Sequence, residues 1–160
     1  MPFQEFFGVR VAVPDSWENR SAVVFVSPPS KLTAPMAGAK QQAPLAAASI
    51  VMGPPQEAEG RGAKDILEEL MAAAKKNGHG VTFAATESLT RDDRDIAFTQ
   101  CRASTSDGIP INQLHAVIVQ WGCSVSFTGS FPLNEPSATR DQLIDILMSI
   151  TLQQANGASC

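Results

Sequence analysis

The sequence predicts an α+β protein, with an antiparallel sheet and helices packed on it. Two segments, 64–76 and about 138–152, carry apolar residues at the spacing of one helix face. Much of the rest alternates apolar and polar residues with a period of two, which is typical of strands. The predicted strands follow one another without regular alternation with helices, and this order favours an antiparallel sheet over a doubly wound one.

The stretch 9–26 contains two apolar runs that flank a polar turn at 14–19. Valines alternate with other residues over 9–13, and Pro14 ends this strand because proline has no N–H to donate. The second run, 22–26, is apolar at every position, so neither of its faces has to be hydrated. The pattern predicts a hairpin. It either packs the core on both faces or keeps one apolar face for a partner.

The remaining elements are expected in one domain over 1–152. Further strands are predicted over 48–52, 81–89, 95–103, 111–120 and 123–130, with a hairpin turn at Asp107-Gly108. Segment 27–47 contains four prolines and no clear periodicity, so it is predicted to be a long loop. Residues 91–95 carry charges of both signs and are predicted to form a solvated turn. Residues 153–160 are expected to form a flexible tail.

Composition excludes several classes of function. A net charge of −4 without a basic cluster argues against a nucleic-acid surface. No apolar run approaches the ~20 residues that a membrane-spanning helix needs, so we expect no stable membrane insertion. The N-terminal residues lack the basic and apolar regions of a signal peptide, and we therefore expect a cytoplasmic protein.

We expect no enzyme, catalytic residue, metal site or cofactor. The three cysteines, Cys101, Cys123 and Cys160, have no CxxC spacing, and the sequence holds no phosphate-binding or nucleophile motif. Cys101 or Cys123 could form a Cys–His pair with His115, but strand neighbours of this kind occur in any sheet. Cys101 and Cys123 are predicted to be buried thiols.

Two sequence segments resemble the DcrB-like family. Segment 13–21 (VPDSWENRS), followed by an apolar strand with Phe25, resembles the start of that family. The most similar branch is the Eag family of chaperones associated with type VI secretion effectors. Segment 127–132 (FTGSFP), which precedes the last helix, is similar to the family's exit from the sheet.

The resemblance implies a Mog1/PsbP-like α/β sandwich, in which a curved antiparallel sheet carries helices on one face. It also implies a cytoplasmic, non-enzymatic chaperone that forms a homodimer. Such a chaperone shields the apolar N-terminal helices of a secreted effector of PAAR or Rhs type. The alternative is a generic Mog1/PsbP-like module that binds a folded protein partner through its loops.

Alternate residues of the strand after the tryptophan turn contact the client in this family. By position, these are Ala22 and Val24, whose neighbours in the strand then face the core. Ile50 and Met52, in the next predicted strand, complete the expected partner-binding set.

Overall fold

The computed structural model describes residues 3–6, 9–12, 22–26, 48–77, 81–105, 108–133 and 137–152. Within these ranges it has ten strands and two helices. The strands are β1 (Phe3–Phe6), β2 (Val9–Ala12), β3 (Val23–Val26), β4 (Ser49–Met52), β5 (Gln56–Glu57), β6 (Thr82–Phe83), β7 (Glu87–Arg91), β8 (Arg94–Ser104), β9 (Pro110–Gln120) and β10 (Cys123–Pro132). The helices are α1 (Ala63–Asn77) and α2 (Ser137–Ser149).

Eight of the strands form one sheet, in the order β3-β4-β10-β9-β8-β6, with β5 beside β10 and β7 beside β8. Every pairing in it is antiparallel, and β8, β9 and β10 form its long central hairpins. The predicted α+β class is confirmed. The predicted strand over 81–89 is instead two short strands, β6 and β7, because the chain leaves the ladder between them.

The predicted hairpin over 9–26 is not formed. Strand β2 pairs with β1 in a separate two-stranded sheet, where Phe3 lies opposite Ala12. Strand β3 pairs with β4, where Val24 lies opposite Val51. A period-two pattern indicates a strand but does not name its partner, and uniformly apolar runs such as 22–26 specify register weakly. The turn at 14–19 lies outside the described residues.

The two helices cover opposite faces of the sheet, so the expectation of helices on one face is wrong. Leu147 of α2 is fully buried in a cluster with Ile96. Leu67 of α1 packs in a second cluster with Ala97 and Val117. Ile96 and Ala97 are successive residues of β8 and therefore point to opposite faces. The central strands are apolar on both faces, and each face requires its own cover.

Adjacent residues at the start of β8 hold one end of each helix. Asp95 Oδ2 accepts a hydrogen bond from the backbone N–H of Ala63, at 2.7 Å, and so caps the start of α1. Arg94 is only 4% exposed, and its Nη1 donates to the carbonyls of Met148 and Ile150 at the end of α2. The solvated turn predicted over 91–95 is confirmed for exposed Asp92 and Asp93 and is wrong for Arg94.

Several sequence predictions fall outside the described residues. These are the loop at 27–47 and the tail at 153–160 with Cys160. Neither α1 nor α2, the helices of the described ranges, has the length and apolar character to cross a membrane.

Candidate functional site

The sheet face that carries α1 is only partly covered by that helix. Helix α1 packs on β8 and β9, and β10, β4 and β3 continue the same face beyond it. Val24 and Val51 lie opposite each other on this extension, and they are 58% and 40% exposed. The α1-side residues of β10, β4 and β3 are called the open face below. Its residues on β10 are Ser126, Thr128 and Ser130, of which Thr128 lies opposite Val51 and Ser130 lies opposite Ser49.

The structure separates the four residues expected to bind a partner. Ala22 and Val24 are exposed, as a binding role requires. Ile50 is 7% exposed and belongs to the core under α2, and Met52 packs against that core. The expectation that Ile50 and Met52 share a surface with Val24 is therefore wrong. Val51, which lies between them, faces the same side as Val24 because successive strand residues alternate.

A chain of polar side chains borders the open face. Gln113 Nε2 donates to Ser130 Oγ at 3.2 Å, and Gln113 Oε1 lies 3.1 Å from His115 Nε2. The other ring nitrogen of His115, Nδ1, lies 3.3 Å from Thr128 Oγ1. The site predicted from the sequence did not include these residues. The regular Ser/Thr positions of β10 are the signal that could have indicated them, because polar side chains at every second residue mark one face.

Helix α1 forms one wall beside the open face. Leu70 of α1 is 47% exposed. A small, solvent-open recess lies between α1 and the sheet, and its lining includes Leu70, Met71, Ala74, Phe83, His115 and Thr128. The ring of Phe83 meets the His115 ring edge-on at 5.9 Å between centroids, and Lys75 Nζ lies 5.6 Å from the Phe83 centroid. Apolar and hydrogen-bonding groups therefore meet along one edge of α1.

The Cys–His arrangement does not activate a nucleophile. Cys101 and His115 lie on neighbouring strands, and both approach Gln113 Oε1. Burial raises the pKa of the Cys101 thiol and lowers the pKa of the His115 imidazole. Both shifts favour the neutral pair, whereas a catalytic thiol needs the thiolate. Cys101 is a free, buried cysteine as predicted. Cys123 is disulfide-bonded, so its prediction as a free thiol is wrong.

The described part of the chain holds no group of three or more His, Cys, Asp or Glu side chains that could bind a metal ion. The side chains that meet at the open face are hydroxyls, an amide, an imidazole and aliphatic groups. This set suits recognition of another molecule by shape and hydrogen bonds.

Comparison with solved structures gives a fold match to a Pseudomonas aeruginosa protein of unknown function, PA94, described as a candidate regulator. The TM-score is 0.65, with 97% of this chain and 99% of that chain covered at 13% identity. The two proteins share a fold. At this identity the likeness concerns architecture alone. No protein-family model and no curated protein matches the chain, so the resemblance to the DcrB-like family has no independent support.

Proposed function

We propose that the protein is a non-enzymatic chaperone of the DcrB-like, Eag type. Its client is the apolar N-terminal helical region of a type VI secretion effector of PAAR or Rhs type. The observation that carries the proposal is the pair Val24 and Val51, exposed side by side on a sheet face that α1 leaves uncovered. The resemblance of segment 13–21 to the family supports it from the sequence.

The dimensions of the open face suit one helix. Neighbouring strands lie about 4.8 Å apart, so three strands give a floor roughly 10 Å across. A helix with its side chains is about 10 Å in diameter and packs about 8–10 Å from a neighbouring helix. A client helix laid on β10, β4 and β3 would therefore lie alongside α1 as the next helix of the same layer.

The chemistry of the open face suits an apolar helix that has to be kept from water. Val24 and Val51 of the open face, and Leu70 of α1 beside it, offer aliphatic surface, whose burial contributes about 25 cal/mol per Å². Thr128 and Ser130 add hydroxyl groups beside it, and small and hydroxyl residues let helices approach closely in membranes. The same combination would imitate a neighbouring membrane helix while the client is still in the cytoplasm, which is the proposed location.

The family resemblance also implies a homodimer. Two protomers would supply two open faces, and each would hold one client helix. This proposal predicts one pair of client helices for each dimer, which light scattering of the purified complex would measure.

Charge substitutions on the open face test the proposal. Val24→Glu and Val51→Glu place a carboxylate where the client helix would lie, and each should lower client affinity at least tenfold, or about 1.4 kcal/mol. Ile109→Glu is the matched control, because Ile109 is 39% exposed and lies at the β8–β9 turn, away from the open face. The readouts are the soluble yield and pull-down of co-expressed effector N-terminal segments.

Unchanged client binding in both valine variants would refute the open face as the client site. Loss of binding on deletion of 30–45, with the valine variants still binding, would favour the alternative module that acts through its loops.

A further inference from the structure

The side chain of Gln113 lies at the centre of the polar chain. Its Nε2 donates to Ser130 Oγ at 3.2 Å, and its Oε1 is 3.1 Å from His115 Nε2 and 4.0 Å from Cys101 Sγ. An amide nitrogen only donates hydrogen bonds and an amide oxygen only accepts them. The orientation of this one amide therefore decides which neighbouring atoms carry a hydrogen.

The orientation of the Gln113 amide also sets the hydrogen-bonding roles of His115 and Thr128. Because Gln113 Oε1 can only accept, His115 Nε2 has to carry the proton. Nδ1 of the neutral ring is then an acceptor, and the hydroxyl of Thr128 donates to it across 3.3 Å. Burial lowers the pKa of His115, which keeps the ring neutral at neutral pH.

The thiol of Cys101 favours the same orientation of the amide. Burial raises the pKa of Cys101, so the sulfur keeps its hydrogen and needs an acceptor. Oε1 of Gln113 provides one. Rotation of the amide by half a turn would set its NH₂ group against this S–H donor.

Two hydroxyls of the open face, those of Ser130 and Thr128, are thereby left with opposite roles. The oxygen of Ser130 accepts from Gln113, and its own O–H is free to donate. The hydrogen of Thr128 is directed at His115, so toward a client its oxygen can only accept, through its lone pairs. We propose that Gln113 is a positioning residue that makes Ser130 a donor and Thr128 an acceptor toward the client helix.

This inference rests on the proposed function and defines the client more narrowly. A helix carbonyl has a second lone pair and can accept from Ser130 where a small side chain leaves it accessible. The N–H groups inside a helix are already bonded, so the group that meets Thr128 has to be a side-chain donor. The client helix therefore carries a serine or threonine next to a small residue, within an otherwise apolar surface.

Two measurements test the orientation and the client separately. The first is ¹⁵N NMR of His115 in the free protein, which distinguishes the two neutral tautomers. We expect the Nε2–H form in the wild type. Gln113→Glu, which has the same shape but only acceptors, should give a doubly protonated ring at neutral pH. Asn112→Asp is the control, since it adds the same charge on the opposite face of β9. An Nδ1–H tautomer in the wild type would overturn the inference.

The second measurement uses a lysine-flanked Leu/Ala peptide of about 20 residues with one central Gly-Ser pair, and the same peptide with alanine for serine. We expect the serine peptide to bind the wild type about fivefold more tightly, since one hydrogen bond is worth about 1 kcal/mol. The preference should disappear in Thr128→Val and Gln113→Glu and persist in Asn112→Asp.

The outcomes separate the two proposals. If neither peptide binds the wild type, the proposed function fails, and the client specificity inferred from it fails as well. If both peptides bind the wild type equally, the open face binds helices but the polarity assigned to Ser130 and Thr128 is wrong.

Discussion

Replacing Arg94 with methionine tests how α2 is held to the sheet. The guanidinium is 4% exposed and donates at 2.8 Å to the Met148 carbonyl and at 2.6 Å to the Ile150 carbonyl. Hydrogen bonds from a charged donor contribute about 1.5–3 kcal/mol each, so this pair contributes roughly 3–6 kcal/mol. The substitution by methionine regains part of this free energy, because no charge then has to be desolvated on folding. We expect a net loss of about 3 kcal/mol in the free energy of unfolding.

Urea denaturation measures the loss. For an m-value of about 1.5–2 kcal/mol/M, the midpoint should fall by roughly 1.5–2 M. Arg94→Lys should lie between the wild type and Arg94→Met, because a single ammonium lacks the guanidinium fork that reaches both carbonyls.

Arg91→Met is the matched control for this prediction. The Arg91 side chain is 62% exposed and pairs with Asp92, which is 76% exposed, so its loss should cost at most about 0.5 kcal/mol. If Arg94→Met shifted the midpoint no more than Arg91→Met, the carbonyl contacts would not be what holds α2.

Three further predictions concern the start of α1, the β9–β10 turn and the partly buried imidazole of His115. Asp95→Ala removes the acceptor for the Ala63 N–H and should lower the free energy of unfolding, measured by thermal melting, by about 1 kcal/mol. Asp95→Asn should lie closer to the wild type. Equal losses of stability in the two variants would contradict the capping role. Trp121→Asn should raise the free energy of unfolding by about 0.5–1 kcal/mol, because Trp121 and Gly122 both have positive φ and asparagine tolerates this conformation well. A lower stability would show that packing of the indole stabilises the fold. Burial lowers the pKa of His115, so the unfolded state binds the proton first as pH falls, and stability should decrease below about pH 6.5. His115→Gln should flatten that part of the stability profile, and a profile unchanged by the substitution would refute the assignment.

The period-two pattern located β8, β9 and β10 closely, because each is long and has turn residues at its ends. Helix α1 was equally clear from its apolar spacing. Pairing was harder: the run 9–13 was assigned to the wrong neighbour, since an apolar strand can pair with any other. The disulfide at Cys123 was also not predicted, because three cysteines without characteristic spacing do not indicate which of them are bonded.

The candidate site was predicted only in part. Ala22 and Val24 came from the family resemblance, and both are exposed in the structure. The polar chain around Gln113 was not predicted, because its members come from β9 and β10 and meet only through the register that pairs Thr128 with His115.

The sequence by itself determined the class of this protein and the place of its central strands and both helices, because periodicity is a local property of the chain. Only the tertiary structure decided which face each residue occupies. In β4, Ile50, Val51 and Met52 are apolar alike, and no local signal separates the buried residues from the exposed one. Whether each side chain is buried or exposed depends on the register with β10 and on the position of α2, and both are set by residues distant in the sequence. The open face beside α1 is a product of that arrangement.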